Sequence, residues 1–544
     1  KKIIPKYSLT EGITEKVYRK LIEQVLEKIT HLDEWHNENI LKKIGNVSWS
    51  KSIFSVHQKK GNDINSPYYR RLAYDEILSS LLVLSQVRKR IRRFKKKEKK
   101  FDDLLSRKVI NNFDFMLTSD QEKCVAEINK DLKSDYKMFR ILQGDVGTGK
   151  TIISLITAAN VINSKFQTVL MAPTEILAKQ HYNLAIKIFN STGININFLS
   201  GKTEENIKKK IQSNLLKGKI DLLIGTHAVF QKKIQFKNLG LAIIDEQHKF
   251  GVKQRKKLIQ KGDNPNILAM TATPIPRTLA FTIHGEMEIS WINEMPSNRK
   301  KIITSKIYGD NIKNVYEKMK IEMDQGNHCY IVYPIISESE KIDAKDAETA
   351  YLNLKDSEFK NYKLGFMHGK LKKDEKDILM SSFIKGEINC LISTTVVEVG
   401  IDNSKATIMV IENAERFGLT QLHQLRGRIG RGELQSNCYL IQRKQTPNSE
   451  HRLGILEETS DGFKIADEDL KLRGPGDFFG TKQHGYIKLG LINFYSDGPI
   501  IKRARINAFE IINDDPLLMS SRNVLIKNEF LKNYKNMLEF INIG

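Results

Sequence analysis

One stretch of eight residues has the spacing of a phosphate-binding loop. It follows the pattern G-x-x-x-x-G-K-[ST] with every fixed position filled. Its members are Gly144, Asp145, Val146, Gly147, Thr148, Gly149, Lys150 and Thr151. In such a loop the lysine reaches the β- and γ-phosphates, and the hydroxyl of the last residue is a ligand for Mg²⁺. These residue types predict a nucleotide site in which Lys150 binds phosphate and Thr151 binds the metal.

The flanks of the loop predict the elements that it needs. Residues 139–142 are an apolar run typical of a short strand, and residues 151–162 have the apolar density of a buried helix. A strand, a glycine turn and a helix N-terminus direct backbone N–H groups and the positive end of the helix dipole at one point. That arrangement suits an anion.

Hydrolysis of a bound triphosphate needs a metal, a positioned water and positive charge for the transition state. Asp245 follows an apolar run and is predicted to be the second ligand for Mg²⁺. Glu246, the next residue, is predicted to orient and deprotonate the attacking water. Arg428 and Arg431 are three residues apart, so we expect them to share one face at the start of a helix. The predicted catalytic residues are Lys150, Glu246, Arg428 and Arg431.

These groups lie where parallel strands are predicted to end. Apolar runs at residues 141–142, 169–171, 222–224, 241–244 and 267–270 are each followed by polar residues. Strands that alternate with helices are typical of a doubly wound parallel sheet, which is an α/β fold. Ligands bind at the carboxyl ends of the strands in such sheets. Five groups are therefore expected to converge on one edge.

A second series of strands and helices begins near residue 300 and contains no second phosphate loop. Its predicted strands are residues 329–332, 364–367, 390–392, 408–411 and 438–441. Two α/β domains with one nucleotide loop imply a cleft in which the second domain supplies arginines. The predicted regions are a helical connector (1–110), a first α/β domain (111–297), a second (298–448) and a C-terminal helical segment (449–544). Within the connector, residues 10–29 and 68–94 are predicted helices.

Composition limits the class of protein. A chain of 544 residues is too long for one core. Its 88 basic and 64 acidic residues give a formal charge of +24, which favours a polyanionic partner. The four cysteines are far apart and indicate reduced core thiols of a cytosolic protein, and no apolar run is long enough for a membrane span. The chain begins Lys1-Lys2 with neither Met nor a signal peptide, so we expect a fragment.

The order of these motifs resembles that of superfamily 2 helicases. More narrowly, the chain is similar to the RecG family of bacterial fork-remodelling helicases over nearly its whole length, most strongly over residues 113–485. The specific stretches are LQGDVG (142–147), TATPIPRT (271–278), ENAERFGLTQLHQL (412–425), DLKLRGPGD (469–477) and GTKQ (480–483). The resemblance implies two RecA-like domains, with ATP and Mg²⁺ as cofactors.

The resemblance also implies roles for individual residues. Gln121, with Phe115 nearby, would bind adenine, and Asp402 would bind the ribose. His248, Thr271 and Thr273 would link the nucleotide to the cleft. The residues implied to contact or move DNA are Thr174, Thr226 and Thr394, together with a translocation motif that runs from Arg473 to Gln483 after a helical hairpin.

The function implied by this resemblance is a DNA-stimulated ATPase that moves along duplex DNA and remodels stalled forks and Holliday junctions in repair and recombination. Branched and duplex DNA are the implied partners, single-stranded-DNA-binding protein is a further candidate, and the protein is expected to act as a monomer in the cytoplasm. RecG proteins carry a wedge domain before the connector, and this chain opens at what resembles the segment after it. We expect either that the wedge was removed or that this chain lacks it. The alternatives are a transcription-repair coupling translocase, an RNA helicase and a DNA-binding scaffold without catalysis.

Overall fold

The computed structural model describes residues 7–529 except residues 8, 10–11, 30–31, 58–65, 94–98, 103, 114, 247–264, 277–278, 281–286, 297–298, 335–339, 395–402, 474–489 and 495. The chain divides into two compact units. One consists of Lys1–Arg93, Pro276–Met287 and Leu470–Gly544, and the other of Phe94–Ile275 and Glu288–Asp469. The division into four domains inferred from the sequence stays a prediction.

In the described part of residues 7–93 there are four helices. They are α1 (Glu15–Glu27), α2 (Glu38–Ile44), α3 (Trp49–Val56) and α4 (Pro67–Arg93). Helices α1 and α4 correspond to the two predicted helices. Helices α2 and α3 are too short to be recognised from an apolar stripe, and the side chains of Asn37 and Ser48 cap them.

A buried arginine joins α4 to the chain before α2. The Arg71 side chain donates from Nε to Asp75 Oδ2 at 2.8 Å, and from Nη1 and Nη2 to the two carboxylate oxygens of Glu34 at 2.8 and 2.9 Å. Arg71 is fully buried. Removal of both acids would leave an uncompensated buried charge, so this network stabilises the packing of α4 against the chain before α2.

Within the described residues, the first sheet has seven strands, all in parallel pairs, in the order β3-β4-β2-β5-β6-β1-β7. Its elements are α5 (Leu104–Asn111), α6 (Ser119–Lys133), β1 (Phe139–Gly144), α7 (Lys150–Asn163), β2 (Gln167–Met171), α8 (Glu175–Ile188), β3 (Ile196–Leu199), α9 (Glu205–Leu216), β4 (Leu222–Gly225), β5 (Leu239–Ile244), β6 (Asn266–Thr271) and β7 (Glu288–Ile292). Strands β5 and β6 are buried along their whole length, as strands covered on both faces must be. The predicted parallel sheet is confirmed.

The part of the second sheet that the structure describes has six strands, again in parallel pairs, in the order β10-β11-β9-β12-β13-β8. Its elements are β8 (Ile303–Tyr308), α10 (Ile312–Asp324), β9 (His328–Val332), α11 (Glu340–Asp356), β10 (Leu364–Met367), α12 (Lys373–Lys385), β11 (Cys390–Ser393), β12 (Ala406–Ile411), α13 (Leu419–Arg426), β13 (Asn437–Gln442), α14 (Pro447–Glu458) and α15 (Gly462–Arg473). The five predicted strands of this series are all present. Both sheets lie in the same compact unit.

Two further helices, α16 (Gly498–Asp514) and α17 (Ser521–Glu529), follow in the other unit. Helix α16 packs along α4, where the Asn507 amide donates to the Tyr74 hydroxyl at 2.5 Å. Among the described residues, no helix combines the length and apolar character of a membrane span. Cys124, Cys329, Cys390 and Cys438 are all free and buried.

Candidate nucleotide site

The phosphate loop connects β1 to α7 at the carboxyl edge of the first sheet. Strand β1 ends at Gly144 and α7 begins at Lys150. Gly147 and Gly149 both have φ of 85°, a left-handed conformation that favours glycine. A Cβ on Gly149 would lie 2.3 Å from Nε2 of Gln121, so the space there also requires glycine. The loop therefore has the local structure that its sequence predicts.

The ammonium group of Lys150 donates to the carbonyl oxygens of Gly144 and Asp145, both at 2.7 Å. Burial lowers the pKa of Lys150, and the charge of Arg431 acts in the same direction, whereas Glu246, Asp145 and Asp245 oppose it. Lys150 thus lies within electrostatic reach of the predicted metal ligand, base and second arginine.

Asp245 and Glu246 follow β5, which lies between β2 and β6. Burial raises the pKa of Asp245, but the hydrogen bond and charge of His181 outweigh it, and the net pKa lies below its ordinary value. Nε2 of His181 is 2.8 Å from Asp245 Oδ2. Glu246 has φ of 50°, which is uncommon for a residue with a side chain, and its Oε2 accepts from the backbone N–H of Ala272 at 3.4 Å. Asp245 is therefore kept ionised and Glu246 is held in a strained backbone position.

His181 has no counterpart among the predicted site residues. It lies on α8 and is buried. The predicted groups all follow strands, whereas His181 lies inside a helix, where a histidine next to apolar residues is usually part of the core. Only the position of α8 beside the end of β5 brings its ring to Asp245.

Arg428 and Arg431 follow α13, which ends at Arg426. The expectation that they share a helix face is therefore wrong, because the chain leaves the helix before Arg428 and Gly430 adopts φ of 69°. Nε of Arg431 donates to the Gly427 carbonyl at 3.2 Å, and Arg428 is buried. Both remain predicted catalytic residues.

Arg299 is a third arginine at the loop, and no motif indicates it. It lies between β7 and β8, where its Nη1 donates to the Val146 carbonyl at 2.5 Å and its Nε donates to the Gly430 carbonyl at 2.9 Å. A Cβ on Gly147 would lie 1.8 Å from Nη1 of Arg299. The guanidinium group thus joins the phosphate loop to the turn that carries Arg428 and Arg431.

Asp145 makes a second connection between the phosphate loop of the first sheet and the helices that accompany the second sheet. Its Oδ1 is 2.5 Å from Nε2 of His423 on α13, and its Oδ2 accepts from the backbone N–H of Gly462, the first residue of α15, at 3.1 Å. Burial raises the pKa of Asp145, yet His423 and the backbone N–H of Val146 bring it below its ordinary value. The carboxylate is therefore ionised and is held by His423 and Gly462, which lie on helices of the second sheet region, residues 303–473.

Gln121 and Phe115 lie on the N-terminal side of the loop. The side chain of Gln121 accepts from the backbone N–H of Thr118 at 2.9 Å and donates to the Thr148 carbonyl at 2.8 Å, so it braces α6 against the loop. Phe115 stacks on Phe113 with 5.4 Å between ring centroids. Their contact with adenine stays a prediction.

The threonines assigned to DNA contact lie after strands. Thr174 follows β2 and caps α8, where its Oγ1 accepts from the backbone N–H of Leu177 at 3.4 Å. Thr226 and Thr394 follow β4 and β11, and both are buried.

The residues assigned to coupling are described only in part. Thr271 ends β6, and the hydroxyl of Thr273 accepts from the Gln424 amide at 3.2 Å, a contact between the two sheet regions. Arg473 is the last residue of α15. The remaining predicted residues, His248, Asp402 and Gln483, lie outside the described residues.

Comparison with known proteins identifies the family. A protein of Bacillus subtilis named ATP-dependent DNA helicase RecG is 40% identical over 534 residues, which cover 98% of this chain and 78% of the relative. The chain belongs to the RecG family. This membership favours the RecG interpretation over the transcription-repair coupling alternative.

The RecG of Synechocystis sp. is 40% identical over 551 residues, which cover 99% of this chain and 64% of the relative. A solved structure of RecG bound to a three-way DNA junction matches with a TM-score of 0.74 and 39% identity, and covers 92% of this chain and 66% of that one. The chain thus spans less than two thirds of the length of both.

Three family regions match in succession. Residues 118–281 match the DEAD/DEAH box helicases, residues 310–433 match the helicase conserved C-terminal domain, and residues 459–543 match the C-terminal part of RecG domain 3. The first region contains six strands of the first sheet and the second contains four strands of the second sheet, whereas β7, β8 and β13 lie outside both.

Proposed function

We propose that this chain is an ATP- and Mg²⁺-dependent motor that moves along double-stranded DNA and remodels branched DNA, including stalled forks and Holliday junctions. The observation that carries the proposal is the enclosure of one phosphate loop by groups from both sheet regions. Arg299 and His423 bond to the loop, and Arg431 lies close enough to Lys150 to affect its pKa. Membership of the RecG family, and the three-way junction in the solved relative, support DNA as the polymer along which the motor moves.

The residues present fit a magnesium nucleotide. Mg²⁺ prefers oxygen ligands and usually takes one or two from the protein beside the substrate phosphates. The Thr151 hydroxyl and the ionised carboxylate of Asp245 are such ligands, and His181 orients the carboxylate by its hydrogen bond to Oδ2. Bound Mg²⁺ would neutralise charge on the phosphate oxygens.

The side chains of this chain would then divide the work of hydrolysis. Lys150 would exchange its two loop carbonyls for phosphate oxygens, and Glu246 would accept the proton of the attacking water. Arg428 and Arg431 would stabilise charge in the transition state. Gln121, Phe115 and Asp402 would bind the nucleoside.

The two α/β regions would close around ATP and separate after hydrolysis. Each would then bind the duplex in turn. Thr174, Thr226 and Thr394 would contact the DNA backbone. His248, Thr271 and Thr273 would relay the state of the nucleotide, and the segment from Arg473 to Gln483 would move the DNA. We further propose that the protein acts as a monomer in the cytoplasm, with single-stranded-DNA-binding protein as a partner.

ATP hydrolysis with and without duplex DNA tests this function. We expect duplex DNA to stimulate the wild type, and Lys150→Ala to lower the stimulated rate by about 100-fold or more, since it removes the charge that contacts the phosphates. Lys217→Ala changes an exposed lysine after α9 and is the matched control. Substantial residual turnover in Lys150→Ala would defeat the assignment.

A second assay separates a junction-remodelling motor from a general translocase. We expect the wild type to convert a three-way junction into its separated duplex products with ATP, and to leave a linear duplex of the same length intact. Equal activity on both substrates would contradict the proposed preference for branched DNA.

A further inference from the structure

The second residue of the phosphate loop is bonded in a way that the loop motif does not require. The motif leaves this position open to any residue. Here it is Asp145, which is 7% exposed and whose carboxylate bonds both to its own loop and to residues far along the chain. Oδ1 accepts from the Val146 backbone N–H at 2.9 Å and lies 2.5 Å from Nε2 of His423, whereas Oδ2 accepts from the Gly462 N–H at 3.1 Å.

The neighbour on the other side of the ring decides which nitrogen of His423 carries the proton. Nη2 of Arg426 is 3.0 Å from Nδ1 of His423. A guanidinium group has only donors, so Nδ1 must accept. Nε2 therefore carries the hydrogen and donates it to Asp145. Arg426 is held in turn by the carbonyls of Leu456 and Thr459, at 2.8 and 3.0 Å.

The first residue of α15 fits this arrangement only as glycine. A Cβ on Gly462 would lie 2.7 Å from Asp145 Oδ2 and 2.7 Å from Nε2 of His423. The next residue, Phe463, places its ring edge-on to Trp291 at 5.5 Å between centroids, at the end of β7. The start of α15 is thus packed closely against the loop.

We propose that His423 and Gly462 are positioning residues for the phosphate loop, which act through Asp145 and set the affinity of the site for nucleotide. Binding of a phosphate depends on backbone N–H groups that already converge before the ligand arrives. Asp145 lies between the end of β1 and the convergent part of the loop, so an anchored carboxylate fixes the first turn. This inference rests on the proposed ATPase function and adds to it the source of nucleotide affinity.

The first test compares ATP KM and kcat with ADP affinity measured by calorimetry without DNA. His423→Leu removes the donor at similar volume, and we expect it to raise the KM for ATP and the Kd for ADP by about tenfold, the effect of losing one charge-assisted hydrogen bond. We expect kcat to stay within about twofold, because the contact does not change in the transition state. His423→Gln retains an N–H donor and should recover most of the affinity.

The glycine offers a matched pair of variants. Gly462→Ala should also raise the Kd for ADP, because its methyl group would displace the carboxylate. Gly454→Ala lies on α14, where a Cβ meets nothing within 4 Å, and should leave the Kd unchanged. If His423→Leu fails to fold, this pair decides the same question.

A double-variant cycle separates positioning from general stabilisation. If His423 acts through Asp145, then His423→Leu adds no further loss of ADP affinity in an Asp145→Ala background. Additive losses would overturn the proposal, and so would a folded His423→Leu protein that binds ADP like the wild type. A wild type without DNA-stimulated ATPase would defeat the proposed function instead, because calorimetry with ADP still tests the loop.

Discussion

At the scale of single residues, Lys150 is the group on which the charges of the site converge. Its side chain is half-buried, its ammonium bonds to two carbonyl oxygens of its own loop, and three acids and Arg431 lie within electrostatic reach. Phosphate oxygens carry more negative charge than carbonyl oxygens and would compete for the same donors. The lysine is thus poised to exchange partners when a nucleotide binds.

The position of Arg431 leads to a prediction on catalysis. Arg431→Ala should lower kcat for ATP by about 10³-fold, the lower end of the range for arginines that stabilise a phosphoryl transition state. ADP affinity should change far less, because the transition state carries the charge that the guanidinium meets. Rapid-quench ATPase assays and calorimetry separate the two quantities.

Arg416→Ala is the control for that variant, since Arg416 is an exposed arginine of the same sheet region. A kcat for Arg431→Ala within about threefold of the wild type would remove Arg431 from the catalytic set.

At the scale of elements, strands made of long apolar runs could be predicted from the sequence, whereas a strand of mixed polarity could not. Strands β5 and β6 are buried along their whole length, and their runs are plain in the sequence. Strand β8 is exposed at both ends and half-buried between them, and its sequence carries no such signal. The expectation that Arg428 and Arg431 share a helix face is wrong because their spacing fits a helix, whereas α13 ends at Arg426 and Gly430 has φ of 69°.

In the candidate site, the residues that belong to local motifs could be predicted, whereas those that reach the site from distant segments could not. The phosphate loop and the Asp245-Glu246 pair are local patterns, so their positions after strands could be predicted. His181, Arg299 and His423 reach the site from three separate segments. Their contacts depend on how the elements pack, which no local spacing encodes.

The turn between α16 and α17 gives a prediction on pH. Asp515 accepts from the backbone N–H groups of Met519 and Ser520 at 2.9 and 2.8 Å. Slight burial raises the pKa of Asp515, but these hydrogen bonds outweigh it, and the pKa lies below the ordinary value of 3.8. Because its pKa is lower in the folded state, the ionised carboxylate stabilises the turn above pH 3.8. This stabilisation is lost as the pH falls through the folded-state pKa.

Asp515→Asn should therefore weaken the protection of α17 amides by about 1 kcal/mol near neutral pH, as expected for hydrogen bonds that lose their charged acceptor. The difference from the wild type should shrink in acid. Hydrogen–deuterium exchange of residues 521–529 measures it, and Asp514→Asn, which changes the exposed neighbour, is the control. A difference that grows as the pH falls would contradict the assignment.

At the scale of the whole molecule, the excess of 88 basic over 64 acidic residues predicts binding dominated by phosphate contacts. Each neutralised phosphate releases counterions, so affinity for duplex DNA should fall by about 100-fold or more between about 50 and 200 mM salt. Fluorescence anisotropy with a labelled duplex measures the slope. An affinity that hardly changes over this range would show that phosphates do not dominate.

The burial of all four thiols has a practical consequence. Burial raises the pKa of Cys124 to about 12 and raises the pKa of Cys329, Cys390 and Cys438 as well, so little thiolate is present at neutral pH. Alkylating dyes react with the thiolate and need access to it. One cysteine introduced on the surface of each of the two α/β regions would then be labelled in preference to the native thiols. The distance between the two dyes could be followed without removing a native cysteine.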